Sequence, residues 1–268
     1  KKNIKDLKLR GIKIIGPIKG SLACGEIGFG RMEDIKIIKK EIKNFFILKK
    51  NIKGKKILIT AGPTIEAIDP VRYLSNFSSG KQGYEIANCA YTYGAETILI
   101  TGPTNIEAPE VNKIIKVESA EQMFNESMNI CKKYGSIDIA FLTAAVSDWK
   151  INKTEKKYKK NENIFKQIKF KENKDILHMI SNLKKNRPKI VCGFAAETNS
   201  LISNARKKLI NKNCDFIFAN KISNKFNPLG NDFNQISIIG KNNLKNWNKM
   251  SKKRVAEKII QEVSSYLN

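Results

Sequence analysis

Thr60-Ala-Gly62-Pro63-Thr64-Ile-Glu66-Ala-Ile-Asp69-Pro70-Val-Arg72-Tyr-Leu-Ser75-Asn76-Phe-Ser78-Ser79-Gly80-Lys81-Gln-Gly83 is the stretch whose reading decides how this chain folds. It is entered from Lys56-Ile-Leu-Ile-Thr60, a short β-rich run, and it exits into Gly80 to Gly94, whose apolar spacing suits a helix. A strand that passes through a long Gly/Pro/Ser loop into a helix opens a βα unit. Loops of this length between regular elements are more often functional than inert. The exit sets serine hydroxyls and a glycine-permitted backbone at a helix N-terminus, where unpaired N–H groups and the dipole favour a phosphate. Neither Gly-x-x-x-x-Gly-Lys-Ser/Thr nor Gly-x-Gly-x-x-Gly is present, so this is not a Walker or dinucleotide fingerprint.

The same alternation continues outward. Thr97-Ile-Leu-Ile-Thr101, Ile114 to Val117, Ile137 to Thr143, Lys189 to Gly193, Phe216 to Phe218 and Gln235 to Ile239 read as further strands. Helices are expected near 120–133, 175–184, 198–213 and 251–266. Apolar strands alternating with amphipathic helices predict an α/β fold with a doubly wound, mostly parallel, Rossmann-like sheet. Ligands of such sheets sit outside the carboxyl ends of the strands, at the switch point. Residues 150–172 are Lys-rich and poor in apolar residues, and read as a flap or excursion from the sheet. Residues 33–53 read as a helix and linker, and residues 1–32 as a glycine-rich block too short to fold alone.

The formal charge is +25, from 50 Lys and Arg against 25 Asp and Glu. Only six of the basic residues are Arg (10, 31, 72, 187, 206 and 254), and the Lys excess is spread among abundant Asn and Ile. That is the signature of AT-rich coding and solvated Lys faces. A basic RNA-binding module would instead interleave aromatics with cations on a sheet face, yet aromatics make up 8 % and fall mostly in apolar runs. The charge can still steer anionic substrates. Five cysteines (24, 89, 131, 192 and 214) form no C-x-x-C pair and read as free thiols of a reducing cytoplasm. The single histidine, His178, excludes histidine-rich metal sites and Ser-His-Asp chemistry as first readings. No run approaches the roughly 20 apolar residues that cross a bilayer. The start carries no secretory signal, and without an initiator Met it reads as part of a longer product.

Three further blocks join the opening one: Thr143-Ala144-Ala145-Val146-Ser147-Asp148-Trp149, Gly193-Phe194-Ala195-Ala196-Glu197-Thr198, and Lys208 to Asn220. Together, over residues 54–268, the four blocks resemble the synthetase half of the bacterial bifunctional phosphopantothenoylcysteine synthetase/decarboxylase family. The resemblance implies a phosphopantothenate–cysteine ligase of coenzyme A biosynthesis. In its reaction the carboxylate of 4′-phosphopantothenate attacks the α-phosphate of CTP and releases pyrophosphate. The amine of cysteine then displaces CMP from the acyl-cytidylate.

On that resemblance Asn76 is tied to turnover of the acyl-cytidylate. Gly62, Ser78, Ser79 and Gly80 cradle phosphate, and Ala144, Ala145 and Phe194 shape the base pocket. Asp148 lies near the ribose or a metal. Lys208 and Lys212, one helical turn apart, clamp the triphosphate, and Asn220 lines the site. A catalytic Lys falls at Lys157, with Lys156 and Lys159 open. Two positions depart from the family pattern: Lys221 where Asp is usual, and Lys174 where Pro is common. Mg²⁺ is expected to neutralise the phosphates, with its ligands unassigned. The resemblance also implies a homodimer through this half.

A second resemblance lies in Leu22-Ala23-Cys24-Gly25-Glu26-Ile-Gly28-Phe-Gly30-Arg31-Met32, which is similar to the substrate clamp at the tail of the flavin-dependent decarboxylase half. There the cysteine is the proton donor, so Cys24 would act only together with an FMN-binding half. The competing enzymatic reading is a Rossmann-type oxidoreductase. It predicts Gly-x-Gly-x-x-Gly or a Tyr-x-x-x-Lys pair, and neither stands in a convincing context.

Overall fold

The computed structural model describes residues 3–4, 7, 12–22, 25–159, 168–223 and 227–267. In chain order the elements begin with β1 (Ile18–Ser21), β2 (Ile27–Arg31), α1 (Ile35–Ile52), β3 (Lys56–Ala61), β4 (Ile65–Ala67) and β5 (Tyr73–Ser75). Then come α2 (Lys81–Thr92), β6 (Glu96–Thr101), β7 (Lys113–Lys116), α3 (Ala120–Tyr134), β8 (Ile139–Leu142), β9 (Trp149–Ile151) and β10 (Phe170–Glu172). The chain continues through α4 (Ile176–Ser181), β11 (Ile190–Glu197), α5 (Leu201–Lys212), β12 (Phe216–Lys221) and β13 (Phe233–Asn234). It ends with β14 (Ser237–Gly240), β15 (Asn243–Asn246), β16 (Met250–Ser251) and α6 (Lys252–Ser264).

Eight strands form the main sheet in the order β15-β14-β12-β11-β8-β3-β6-β7. The six from β7 to β12 are parallel, and β14 and β15 extend the sheet antiparallel. Numbered by their own sequence order, the parallel strands run 3-2-1-4-5-6, the dinucleotide-binding arrangement, so the winding reverses between β3 and β8. The doubly wound α/β expectation is met.

Burial on both faces explains the β-branched runs. Ile57 and Ile59 point to the layer of α2 and α6, packing with Ala87, Val255 and Ile259. Leu58 points to the other layer, with Met123 and Phe124 of α3 and Leu209 of α5. All three strand side chains are fully buried, each contributing about 1.5–3 kcal/mol of burial.

Helix ends are fixed locally. Ser119 and Gln122 form a reciprocal capping box on α3, and buried Glu66 of β4 accepts from the Ala120 amide at 2.8 Å. Thus the long loop after β3 contains its own hairpin, β4–β5, and is anchored to a helix start. The helix expected in 33–53 runs from Ile35 to Ile52, ending on a fully buried residue just before the short 53–55 link to β3. Glu41 pairs with Arg254 of α6 at 3.0 Å, tying α1 to the domain. The two ends of the 150–172 excursion form an antiparallel arm, β9 paired with β10, while residues 160–167 lie outside the described residues. The β15 edge was outside the expected strands, because Asn243-Leu-Lys-Asn246 carries little apolar signal.

Candidate active site

The switch point is built by two loops zipped beyond their strands. Ala145 donates its amide to Gly62 O at 2.9 Å, Pro63 bridges Ala145, and Ser147 N reaches Thr64 Oγ1 at 2.9 Å. Asn76 crosses this seam. Its Nδ2 donates to Ala145 O at 3.1 Å and to Val146 O at 3.2 Å. The exposed Asn76 amide therefore holds the two loops in register at the mouth of the site.

Past Asn76 the chain enters α2 through Gly80, whose φ of 74° is the left-handed conformation. A Cβ there would lie 2.7 Å from Thr104 Cγ2. No side chain caps α2, so its first amides face the cleft with the positive end of the dipole. Ser78 Oγ accepts from the Gly80 amide at 3.2 Å. Gly83 allows α2 to lie against the strand ends, where an added Cβ would meet Thr143 Oγ1 at 2.4 Å and Ala61 Cβ at 2.6 Å.

A two-lobed cleft opens here. One lobe, of about 440 Å³, is bounded by Asn76, the Ser78–Gly80 turn, Ala145, Asn220 and Lys252. The other, of about 370 Å³, is bounded by Ser147, Asn173, Asp175, Ile176 and Lys212. Ala144, Val146, Asp148, Phe194 and Lys208 line both. Asp148 presents an exposed carboxylate. Phe194 is half-buried, its ring 5.2 Å from that of Phe218.

The lysines divide by role. Lys208 Nζ donates to Phe194 O at 2.9 Å, and burial holds its pKa below the ordinary lysine range. Lys212 is paired with Asp175 at 2.6 Å. Burial alone would raise the Asp175 carboxyl, but the hydrogen bonds from Lys212 and the His178 amide hold it low. Lys208 therefore keeps donors for a ligand, while Lys212 is shared with a carboxylate at the same wall.

Lys156, Lys157 and Lys159 are exposed and line neither lobe. Their segment is nevertheless tied to the β4–β5 turn. Asp69 accepts from the Val71, Arg72 and Tyr158 amides at 2.7, 2.8 and 3.3 Å, and Arg72 donates to Tyr158 O at 3.3 Å. Cys24 lies outside the described residues, whereas Cys89, Cys131, Cys192 and Cys214 are free and buried. Burial pushes the Cys131 thiol up to about 11 and Cys214 to about 12, which makes them poor nucleophiles.

The far wall escaped the sequence reading. Leu229 O accepts from Ser79 Oγ at 3.0 Å, Lys81 pairs with Asp232, and Lys252 enters from the start of α6. One sequence signal was available: a lysine directly after the Ser251 cap opposes the helix dipole. Among the described residues no group of three His, Cys, Asp or Glu side chains is gathered as a metal site. No helix among them is long and apolar enough to cross a membrane.

A family model described as the DNA/pantothenate metabolism flavoprotein C-terminal domain matches residues 52–267. The chain is 42 % identical over 264 residues to the coenzyme A biosynthesis bifunctional protein CoaBC of Borreliella burgdorferi, covering 97 % of this chain and 65 % of that protein. It is 40 % identical over 264 residues to the CoaBC protein of Haemophilus influenzae, covering 97 % and 64 %. It thus spans just under two thirds of the length of these relatives. In structure, the crystallised C-terminal domain of a CoaBC protein matches with a TM-score of 0.67 at 34 % identity, covering 81 % of this chain and 97 % of that domain.

Proposed function

The chain belongs to the DNA/pantothenate metabolism flavoprotein C-terminal domain family, and on that premise we propose that it is a phosphopantothenate–cysteine ligase of coenzyme A biosynthesis. The observation that carries the reading is one cleft that joins an uncapped helix start, a loop-bridging Asn76 and the cation Lys208. A ligase must make a carboxylate a good acylating agent, so it needs clustered phosphates held in line with that carboxylate.

In this reading CTP lies across both lobes. Its base and ribose sit near Phe194, Ala144 and Asp148, and its phosphates run toward the Ser78–Gly80 turn. The backbone amides at the start of α2 and the Lys208 ammonium stabilise charge as pyrophosphate departs. Asn76 holds the β3 and β8 loops together. By exchanging one of its two carbonyl partners it can offer an N–H to the oxyanion formed when the cysteine amine attacks. Lys157, carried on the arm pinned by Asp69, would reach a site from outside these two lobes.

Magnesium would neutralise phosphate charge. Asp148, an exposed carboxylate that lines both lobes, is the group that would share such an ion, which typically takes one or two protein carboxylates plus phosphates and water. The β9–β10 arm, with Trp149 and Phe170 exposed, is the surface for a homodimer. Residues 1–32 are read as the tail of a flavin-dependent decarboxylase half, where FMN and the Cys24 proton donor would belong, and the enzyme is read as cytoplasmic.

The test is product identity. The purified chain with CTP, Mg²⁺, 4′-phosphopantothenate and cysteine should yield the phosphopantothenoylcysteine amide by mass spectrometry. A folded chain that forms no amide with either CTP or ATP would overturn the reading.

A further inference from the structure

Lys252 is the first residue of α6 and is only 3 % exposed, yet it borders the lobe that holds the Ser78–Gly80 turn. Three effects oppose a positive charge there. Burial removes its water, the positive end of the α6 dipole faces it, and the Lys81 ammonium repels it. The groups that face it are Lys81 and Glu85 of α2 and Asp232 of the 227–232 loop. Asp232 is already engaged by Lys81. Among the described residues Lys252 Nζ has neither a hydrogen bond nor an ion pair, while its backbone carbonyl accepts from Gln82 at 3.2 Å. Burial, then Lys81, bring its pKa down to about 8.

Glu85 and Asp232 attract the charge from nearby, but a buried cation with no ion-pair partner of its own lowers stability, and an alkyl side chain would fill the same space more favourably. The charge is accounted for when an anion enters the lobe. The uncapped start of α2, on the same lobe, offers amides to that anion.

We propose that Lys252 is the fixed cation of the cleft, delivered by the C-terminal helix, and that it grips a phosphoryl group against the first turn of α2. This deepens the ligase reading and rests on it. The phosphoryl group belongs either to the nucleotide polyphosphate or to the monophosphate of the second substrate. Both carry the same chemistry, and the experiment separates them.

Lys252→Met and Lys252→Arg are compared with wild type by titration calorimetry against pyrophosphate, CTP and 4′-phosphopantothenate. Each is run at pH 8 in two buffers of different ionisation enthalpy. Lys252→Met should weaken one of these ligands at least ten-fold, and Lys252→Arg should restore most of that affinity. Weakening of pyrophosphate and CTP assigns the nucleotide end, and weakening of phosphopantothenate alone assigns the other substrate. A lysine with a pKa near 8 is about half protonated in the free protein, so anion binding should draw in about half a proton more in wild type than in either variant. Arginine, always charged, keeps the grip and loses the uptake, which a purely structural lysine would not reproduce. Equal binding of all three ligands by Lys252→Met overturns this inference alone. A folded wild-type chain that binds none of them overturns the ligase reading with it.

Discussion

Replacing Gly83 by Ala tests whether the helix start is held where the phosphate cradle needs it. The new Cβ would lie 2.4 Å from Thr143 Oγ1 and 2.6 Å from Ala61 Cβ, about 1 Å short of the 3.4 Å at which ordinary contact begins. Neither neighbour is the loose end of a long side chain. Ala61 closes β3, and Thr143 hydrogen-bonds back to Thr60 O. So α2 must back away from the strand ends. Overpacking of this kind costs about 1–3 kcal/mol, while exchanging Gly for Ala inside a helix returns up to about 1 kcal/mol. The expected net is a loss of about 1–2 kcal/mol in urea unfolding. The functional loss should be larger, because moving a positioning group by about 1 Å costs on the order of 100-fold. Pyrophosphate-release kcat/KM should therefore fall far more than the fraction folded. A variant with wild-type stability and wild-type kcat/KM would refute the close contact between α2 and the switch point.

Asn76→Ala should leave pyrophosphate release within about three-fold of wild type while slowing amide formation by about 100-fold; rapid-quench measurement of both products checks this, and equal loss of the two would remove its assigned role. Asp138 holds the Lys56 amide at 2.9 Å and Lys189 at 2.8 Å. Burial alone would raise its carboxyl, but these partners hold it low, so its stabilisation is present above the ordinary carboxylate range and fades as pH falls through it. Asp138→Asn should therefore lose about 1–2 kcal/mol at pH 7 and less at pH 3, which urea curves at the two pH values would show. Lys252 has the opposite sign: its charged form is penalised in the fold, fully below about pH 8, and the penalty disappears as pH rises toward 10.5. Lys252→Met should accordingly raise the stability of the ligand-free chain by up to about 3 kcal/mol at pH 7, with the gain shrinking above pH 8; a pH-independent or negative change would show that the charge is not strained.

The sheet was legible because buried parallel strands leave continuous apolar runs, and Lys56 to Thr60 and Thr97 to Thr101 stand out between glycines and helices. The loops at the site were legible too, since Gly62 stands just past Thr60, Ala144 directly follows the Ile137 to Thr143 run, and Ser78 stands just before the helical spacing that starts at Gly80. What stayed hidden was assembled by distance in sequence. Lys252 meets Gln82 across 170 residues, and Asp232 reaches Lys81 across 151. No local pattern marks such meetings apart from the misfit of a lysine at a helix start. The pairing of Lys212 with Asp175 was likewise invisible. Helical spacing sets Lys208 and Lys212 on one face, but only tertiary packing decides that one contacts a carbonyl and the other a carboxylate. Asn76 shows the same limit. Its place in the loop could be read, while its bridge to Ala145 and Val146 depends on two loops meeting at the switch point.

The measurement that tests the central claim most directly is pyrophosphate release by the purified chain with Mg²⁺ and 4′-phosphopantothenate, comparing CTP with ATP, before and after cysteine is added. The account predicts CTP-selective release without cysteine, limited to about one equivalent per site as acyl-cytidylate accumulates, and then continuous turnover with amide once cysteine is present. Release that occurs only after cysteine is added, or no release from either nucleotide by a folded chain, would contradict it.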